Sequence, residues 1–521
     1  MLTGKPCRLC MATLSKTTFP DAFSPLPTVP APTEVETLQT STIRTATYPA
    51  AIFAVYVAAS MLLPAAVDLY YGNDDWQVFV VCSLATGAIA LTIAAATRAP
   101  LTRGSTQSTF LVVVILWLML GLVGALPFYT ASLKLDLAEA VFESVSAITT
   151  TGSTVISGLD GLPPGLLLWR SILQWIGGIG VVALGLFLLP LLKVGGFSYF
   201  RVESSDIENR PFDRFISFLF ALVGIYCLLT GLCALSYAAA GMDNFDAINH
   251  AMTTIATGGF STHDASFGYF EGNTVLWVGT FFMLMAALPF SILVLFFARG
   301  RLDALRDPQI RLFLGYVTVI VIVLAVQRRI TTGQPFDDIL ASTAFNFASI
   351  ITTTGFASED YTLWGPFAVT LAFFATFLGG CSGSTSGGVK AYRFLILGAM
   401  LRNGLRLLIH PHSVRALRYG KRIVDVEMQR SVVLFVVGFL ASWVLATLLL
   451  AATGLDFLTS LTGSLTALTN VGPGLGTTIG PSGNFAPLSD FAKWVLSATM
   501  LLGRLEILAV VVLLLPTFWR D

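Results

Sequence analysis

A succession of long apolar runs constrains this chain more than any other feature. They fall at about 48–70, 76–96, 107–128, 165–193, 214–240, 272–298, 310–327, 364–400, 428–452 and 488–516, each long enough to cross a ~30 Å hydrocarbon core as a helix. With 55% hydrophobic and only 12% charged residues, against about 25% charged in soluble domains, the chain reads as an all-α polytopic membrane protein. Thirty basic and thirty acidic residues cancel, so no global field draws it to nucleic acid. The six cysteines are scattered and build no disulfide framework; Cys7 and Cys10 form a lone C-x-x-C without a second pair.

Four shorter stretches, too short to span, lie between the runs at 136–154, 243–261, 337–357 and 456–474. Placing Gly152 over Gly258, Gly355 and Gly472 gives offsets of 106, 203 and 320, and brings Asp136, Asp243, Asp338 and Asp456 within one residue of each other. The same register superposes Glu143, Asn249 and Asn346. It also aligns Thr150-Thr151-Gly152, Ala256-Thr257-Gly258, Thr353-Thr354-Gly355 and Asn470-Val471-Gly472. Such periodicity is the mark of one unit used four times: outer helix, Asp-capped short helix, polar glycine-containing descent, inner helix. The expected division is a disordered tail at 1–46, two N-terminal transmembrane helices at 47–103, and repeats at 104–200, 201–299, 300–425 and 426–521.

Basic residues set the orientation. Arg98 and Arg103, Lys193 to Arg214, Arg299 to Arg311 and Arg402 to Arg422 share one side with Arg44 and Arg520, which makes that side, and both termini, cytoplasmic. Arg328 and Arg329 fall on the outer side as exceptions. The first 46 residues hold six prolines among Ser and Thr, too polar to span and without the pattern of a signal peptide.

Non-helical backbone at membrane depth needs protein or water around it, so four descents imply a shared hydrated axis. Each short helix would aim its C-terminal end, carrying about half a negative charge, at that axis and favour a cation. Glycine permits the backbone angles that turn carbonyls inward to replace a hydration shell. No carboxylate ring accompanies the four tripeptides, which argues for a monovalent ion rather than Ca²⁺. The twelve tripeptide residues, Thr150, Thr151, Gly152, Ala256, Thr257, Gly258, Thr353, Thr354, Gly355, Asn470, Val471 and Gly472, are therefore the expected ion ligands. Gly379, Gly380, Gly383, Gly387 and Gly388 should unwind the inner helix of repeat 3 into an intramembrane gating loop. Lys390 and Arg504 are charges at membrane depth that need water or a partner; Arg504 either faces the pore or pairs with an acid such as Glu506. The four histidines suggest no metal site, and no hydrolase or nucleotide-binding motif occurs.

Several long strings resemble one family. They are Trp169-Arg170-Ser171 with Gln174-Trp175-Ile176-Gly177-Gly178, the segment 255–264, the Gly/Ser-rich 379–390, Thr469-Asn470-Val471-Gly472-Pro473-Gly474, and Leu502-Gly503-Arg504-Leu505-Glu506. Over about 47–517 the chain resembles the Trk/Ktr potassium-uptake superfamily, in particular its TrkH-type membrane subunits of the bacterial inner membrane. The resemblance implies a K⁺-channel-like fold, K⁺ as the transported ion with no organic cofactor, a homodimer with one pore per protomer, and cytoplasmic Rossmann-type (TrkA-like) regulatory subunits. Arg201, Arg210, Arg402, Arg406, Arg415, Arg418, Lys421 and Arg422 offer contacts for such a partner, with anionic membrane lipid as the competing one. A sodium-permeable or mixed transporter of the same fold is the alternative; an intramembrane enzyme is more remote.

Overall fold

The computed structural model describes residues 32–98, 106–191, 211–300, 306–412, 416–420 and 422–519. Cys7, Cys10, Arg103, Lys193, Arg201, Arg210, Arg415, Lys421 and Arg520 lie outside the described residues. The first helix runs Pro32–Ser60, so residues 32–46 are helical rather than part of a disordered tail. Its apolar part begins at Ala46, and after a break at Met61 the same span continues to Tyr71. Gly72, with φ +75°, turns the chain into Trp76–Ala96.

Four repeats follow. Their outer helices are Thr106–Thr130, Pro211–Ala239, Pro308–Thr332 and Val426–Ala451; their pore helices are Leu137–Ile148, Asn244–Ile255, Phe336–Ile351 and Phe457–Thr469. Asp243 and Asp456 cap their helices by accepting from Phe245 N at 3.0 Å and Thr459 N at 3.1 Å. At Asp136 the N–H bonds back to Glu139, one half of a capping box. The third pore helix instead starts after Pro335, about a turn early, with Asp337 and Asp338 in its first turn. These helices are nearly engulfed: in the first, Ala138 and every residue from Ala140 to Ile148 are buried.

The inner helices are less regular than their hydropathy predicts. Repeat 1 has a continuous helix, Pro164–Leu191. In repeat 2, Asn273–Ala286 and Phe290–Phe297 meet at 99° across the proline at 289, whose ring and missing N–H end a helix. In repeat 3 the apolar run 364–400 divides into Pro366–Ala375 and Ala391–Ile409 around the Gly/Ser-rich loop. In repeat 4, Asp490–Arg504 and Ile507–Leu513 meet at 106°. Among the described residues the only sheet is a two-residue hairpin, Arg418–Tyr419 with Arg422–Ile423.

One core joins repeats 2 and 3 around Tyr237, Phe267 and Phe345; a second joins the N-terminal helices to repeats 1 and 4 around Phe79, Trp169, Phe142 and Phe485. Outward-facing Phe220, Leu235, Leu440 and Leu448 are exposed, as a surface solvated by lipid tails requires. The two exceptional arginines have structural partners. Arg328 pairs with Glu359 at 3.1 Å, donates to Ser342 Oγ at 2.9 Å and lies 3.6 Å over the Trp364 ring, and Arg329 donates to the carbonyls of Gly333 and Gln334.

Candidate ion pathway

Each pore helix ends in the same short turn, and backbone angles identify its register. Thr150, Thr257, Thr353 and Asn470 have φ of 53°, 50°, 57° and 56°; two residues on, Gly152, Gly259, Gly355 and Gly472 have φ of 86°, 79°, 90° and 108°. A left-handed non-glycine residue costs about 1–3 kcal/mol and persists only where surroundings hold it; here it recurs four times at one place. This corrects the sequence register of repeat 2. Its offset is 107, not 106, the tripeptide matching the other three is Thr257-Gly258-Gly259, and Ala256 is the right-handed cap of the short helix. His250, not Asn249, then superposes on Glu143 and Asn346.

The four turns form a closed circuit. A Cβ on Gly152 would strike the carbonyl of Gly258, one on Gly259 that of Thr354, one on Gly355 that of Val471, and one on Gly472 that of Thr151. Each repeat thus lays its glycine against the next repeat's middle carbonyl, from repeat 1 through repeat 4 and back to repeat 1. Glycine is required there both for its φ and for the close approach.

Behind the turns, a residue of each of the first three pore helices braces its own descent. Glu143 accepts from Val155 N and Thr154 Oγ1, both at 3.0 Å, and pairs with Arg170 at 2.8 Å, neither side chain being exposed beyond 1%. Arg170 also donates to the Ser261 carbonyl at 2.8 Å, tying repeat 1 to repeat 2. His250 Nε2 meets Ser261 Oγ at 2.9 Å, and Asn346 Oδ1 accepts from Ser358 N at 3.1 Å. In repeat 4 the matching residue is Gly463, where Ile479 occupies the space. In the descent of repeat 2, His263 lies between Asp160 (2.5 Å) and Asp246 (3.0 Å).

The loop 379–390 sits directly beneath this ring. Thr385 Oγ1 donates toward the Ile255 carbonyl at the end of the second pore helix (3.1 Å), Gly387 N to Thr353 Oγ1 (2.7 Å) and Gly388 N to the Thr469 carbonyl at the end of the fourth (2.9 Å). Gly379, Gly383 and Gly388 have positive φ, while Gly380 N bonds to Ser386 Oγ. Lys390, with φ 70°, caps the helix that resumes at Ala391. A cavity of about 60 Å³ separates the loop from repeat 4, lined by Lys390, Arg393, Asn470, Arg504 and Glu506 among others; that is room for a few waters. Glu506 pairs with Arg393 and not with Arg504, whose Nε and one terminal nitrogen have no protein partner. Arg393, absent from the sequence expectations, is fully buried and also stacks 3.5 Å over Phe435; only its position in the turn after Lys390 could have drawn notice. Among the described residues no His/Cys/Asp/Glu cluster suited to a metal ion occurs.

The model of a family of cation transport proteins, TrkH, matches residues 77–520. The chain belongs to the TrkH family. It is 44% identical over 90% of its length to the Trk system potassium uptake protein TrkI of Halomonas elongata, covering 96% of that protein. It is 36% identical to the Trk system potassium uptake protein TrkH of Escherichia coli K12, over 90% of this chain and 98% of that one. The crystal structure of the potassium transporter TrkH from Vibrio parahaemolyticus superposes with a TM-score of 0.85 at 35% identity, covering 91% of this chain and 99% of the other. The family membership makes the chain a multi-pass membrane transport protein, not an enzyme.

Proposed function

We propose that this protein conducts potassium into the cell through the axis enclosed by its four filter turns. The observation that carries the reading is the closed circuit of glycine-to-carbonyl contacts. The circuit gathers backbone oxygens, the ligands suited to a weakly hydrated monovalent cation, at the negative ends of four pore helices. All three relatives above are named for potassium. Glycine at every repeat, Gly152 included, favours potassium over the sodium-permeable alternative.

The closed gate is the loop 379–390. Its hydroxyl and amide donors occupy the pore-helix carbonyls that would otherwise face a cation leaving the filter, and Arg504 adds a fixed positive charge to the same cavity. Opening requires those donors to withdraw. Control by a cytoplasmic Rossmann-type subunit and assembly as a homodimer belong to the same proposal; exposed Arg402, Arg406 and Arg418 are available for the first.

Rubidium and potassium uptake into proteoliposomes, with and without a nucleotide-loaded Rossmann-type subunit, tests the reading. Flux of K⁺ and Rb⁺ exceeding that of Na⁺ is expected. Absence of cation flux with a partner bound would refute conduction; failure to co-purify under several nucleotide conditions would refute the partner.

A further inference from the structure

Repeat 2 is the odd member of the ring. In repeats 1 and 3 the middle filter residue is Thr, and its hydroxyl clasps a second Thr at the end of the pore helix: Thr151 with Thr149 at 2.7 Å, Thr354 with Thr352 at 2.8 Å. In the corrected register the matching positions of repeat 2 are Gly258 and Ala256, which have no hydroxyl to offer. The space behind Gly258 is filled instead by Gln174, fully buried on the inner helix of repeat 1. Its amide Nε2 donates to the Gly258 carbonyl at 2.7 Å, and its Oε1 accepts from Phe260 N at 3.1 Å. A Cβ on Gly258 would collide with this carboxamide.

We propose that Gln174 is a selectivity-setting positioning residue: one repeat lends a side chain to hold the filter strand of the next, replacing the threonine clasp that repeat 2 lacks. The geometry gives it a distinct effect. Among the described residues, of the four middle carbonyls only that of Gly258 accepts a side-chain hydrogen bond, so its direction and its field on a passing ion are fixed by Gln174 rather than by its own strand. A carbonyl already serving a donor gives less to a cation than its three neighbours, and the ring is thereby unequal. Gly258 and Gln174 form a size-matched pair, and the glycine is needed because the amide is there.

The inference rests on the conduction reading above, and one set of proteoliposomes separates the two. Wild-type vesicles without K⁺ flux in the presence of a bound, nucleotide-loaded Rossmann-type subunit would sink conduction itself. With wild-type flux present, Gln174→Ala is expected to lower the K⁺-to-Na⁺ flux ratio on the order of fivefold, the factor one neutral hydrogen bond is worth, with little change in the yield of folded protein. Gln174→Met keeps the length of the side chain but has no N–H or O–H to donate; the same loss of ratio is expected, which keeps the test alive should the alanine variant fold poorly. Gly258→Thr should abolish selective flux in the wild type and restore part of it beside Gln174→Ala, where the vacated space admits the side chain. An unchanged ratio in either folded Gln174 variant, or a Gly258→Thr defect equally severe in both backgrounds, overturns the proposal.

Discussion

Neutralising one carboxylate, Glu143→Gln, should damage both the stability and the selectivity of this protein, because Glu143 and Arg170 brace two repeats at once. Neither side chain is exposed beyond 1%. Arg170 donates to Glu143, to the Ser261 carbonyl and, at 3.3 Å, to Thr154 Oγ1, and its guanidinium lies 4.0 Å over Phe260. Glutamine preserves the shape but strands a cation in a low-dielectric interior. Removing one partner of a buried pair costs about 3–5 kcal/mol. The surviving bonds and the ring contact, the latter contributing about 0.5–2 kcal/mol, bring the expected loss to the low end, about 3 kcal/mol. Denaturation of the detergent-solubilised protein reads that loss, and flux ratios per folded molecule read the effect on the Ser261 descent. Arg170→Gln should be comparably harmful. The double variant should lose less than the sum of the two, by about 0.5–3 kcal/mol, the range of coupling between directly contacting groups. Additive losses, or a Glu143→Gln protein of wild-type stability, would show that the pair is not a brace.

Gly152→Ser should lower potassium selectivity, because the new side chain meets the Gly258 carbonyl at a φ of 86°, with about 1–3 kcal/mol of backbone strain added; unchanged relative permeability would refute it. Arg504→Ala should raise regulator-free flux per folded molecule, whereas a loss of folded protein with no gain in flux would make the arginine structural. In the loop after the first short helix, the hydrogen bond with His263 holds the Asp160 carboxyl below its ordinary range. A depressed carboxylate stabilises the fold above its unfolded pKa of about 3.9 and loses that contribution as pH falls through the lower folded value. Thermal stability should therefore decline below about pH 4, less so in Asp160→Asn; equal acid sensitivity of the two proteins would exclude this tie.

The repeat architecture was legible because glycine and aspartate recur where backbone geometry demands them. The one-residue error in repeat 2 has a physical origin: Thr257-Gly258-Gly259 offers two glycines to one alignment column, and Asn249 beside His250 imitates the brace of Asn346. The caps already held the answer, since Asp136 and Asp243 differ by 107. The division of the third inner helix was readable from its glycines, and Pro289 was an available sign of the bend in the second. Glu506 gave no such sign, since a left-handed glutamate depends on Arg393, a partner 113 residues distant. Gln174 was equally hidden: its role requires knowing that the inner helix of repeat 1 passes behind the filter of repeat 2.

The broken inner helices and the loop 379–390 are parts of one arrangement. A helix that stops at Ala287 and resumes at Phe290 leaves a carbonyl and an N–H without helical partners. The loop supplies both, with Cys381 N donating to the Ala287 carbonyl and Phe290 N to the Gly383 carbonyl, each at 2.9 Å. The bend in repeat 4 is held through Arg393, just beyond the other end of the loop. Withdrawing the loop would orphan these groups along with the pore-helix carbonyls of Ile255 and Thr469, at about 1–3 kcal/mol for each buried unsatisfied group. Only water entering the cavity can offset several such losses together. In the gate proposed above, opening and wetting the space beneath the four turns would thus be one event, and the Arg504 guanidinium, whose Nε and one terminal nitrogen have no protein partner here, would be solvated by the same water.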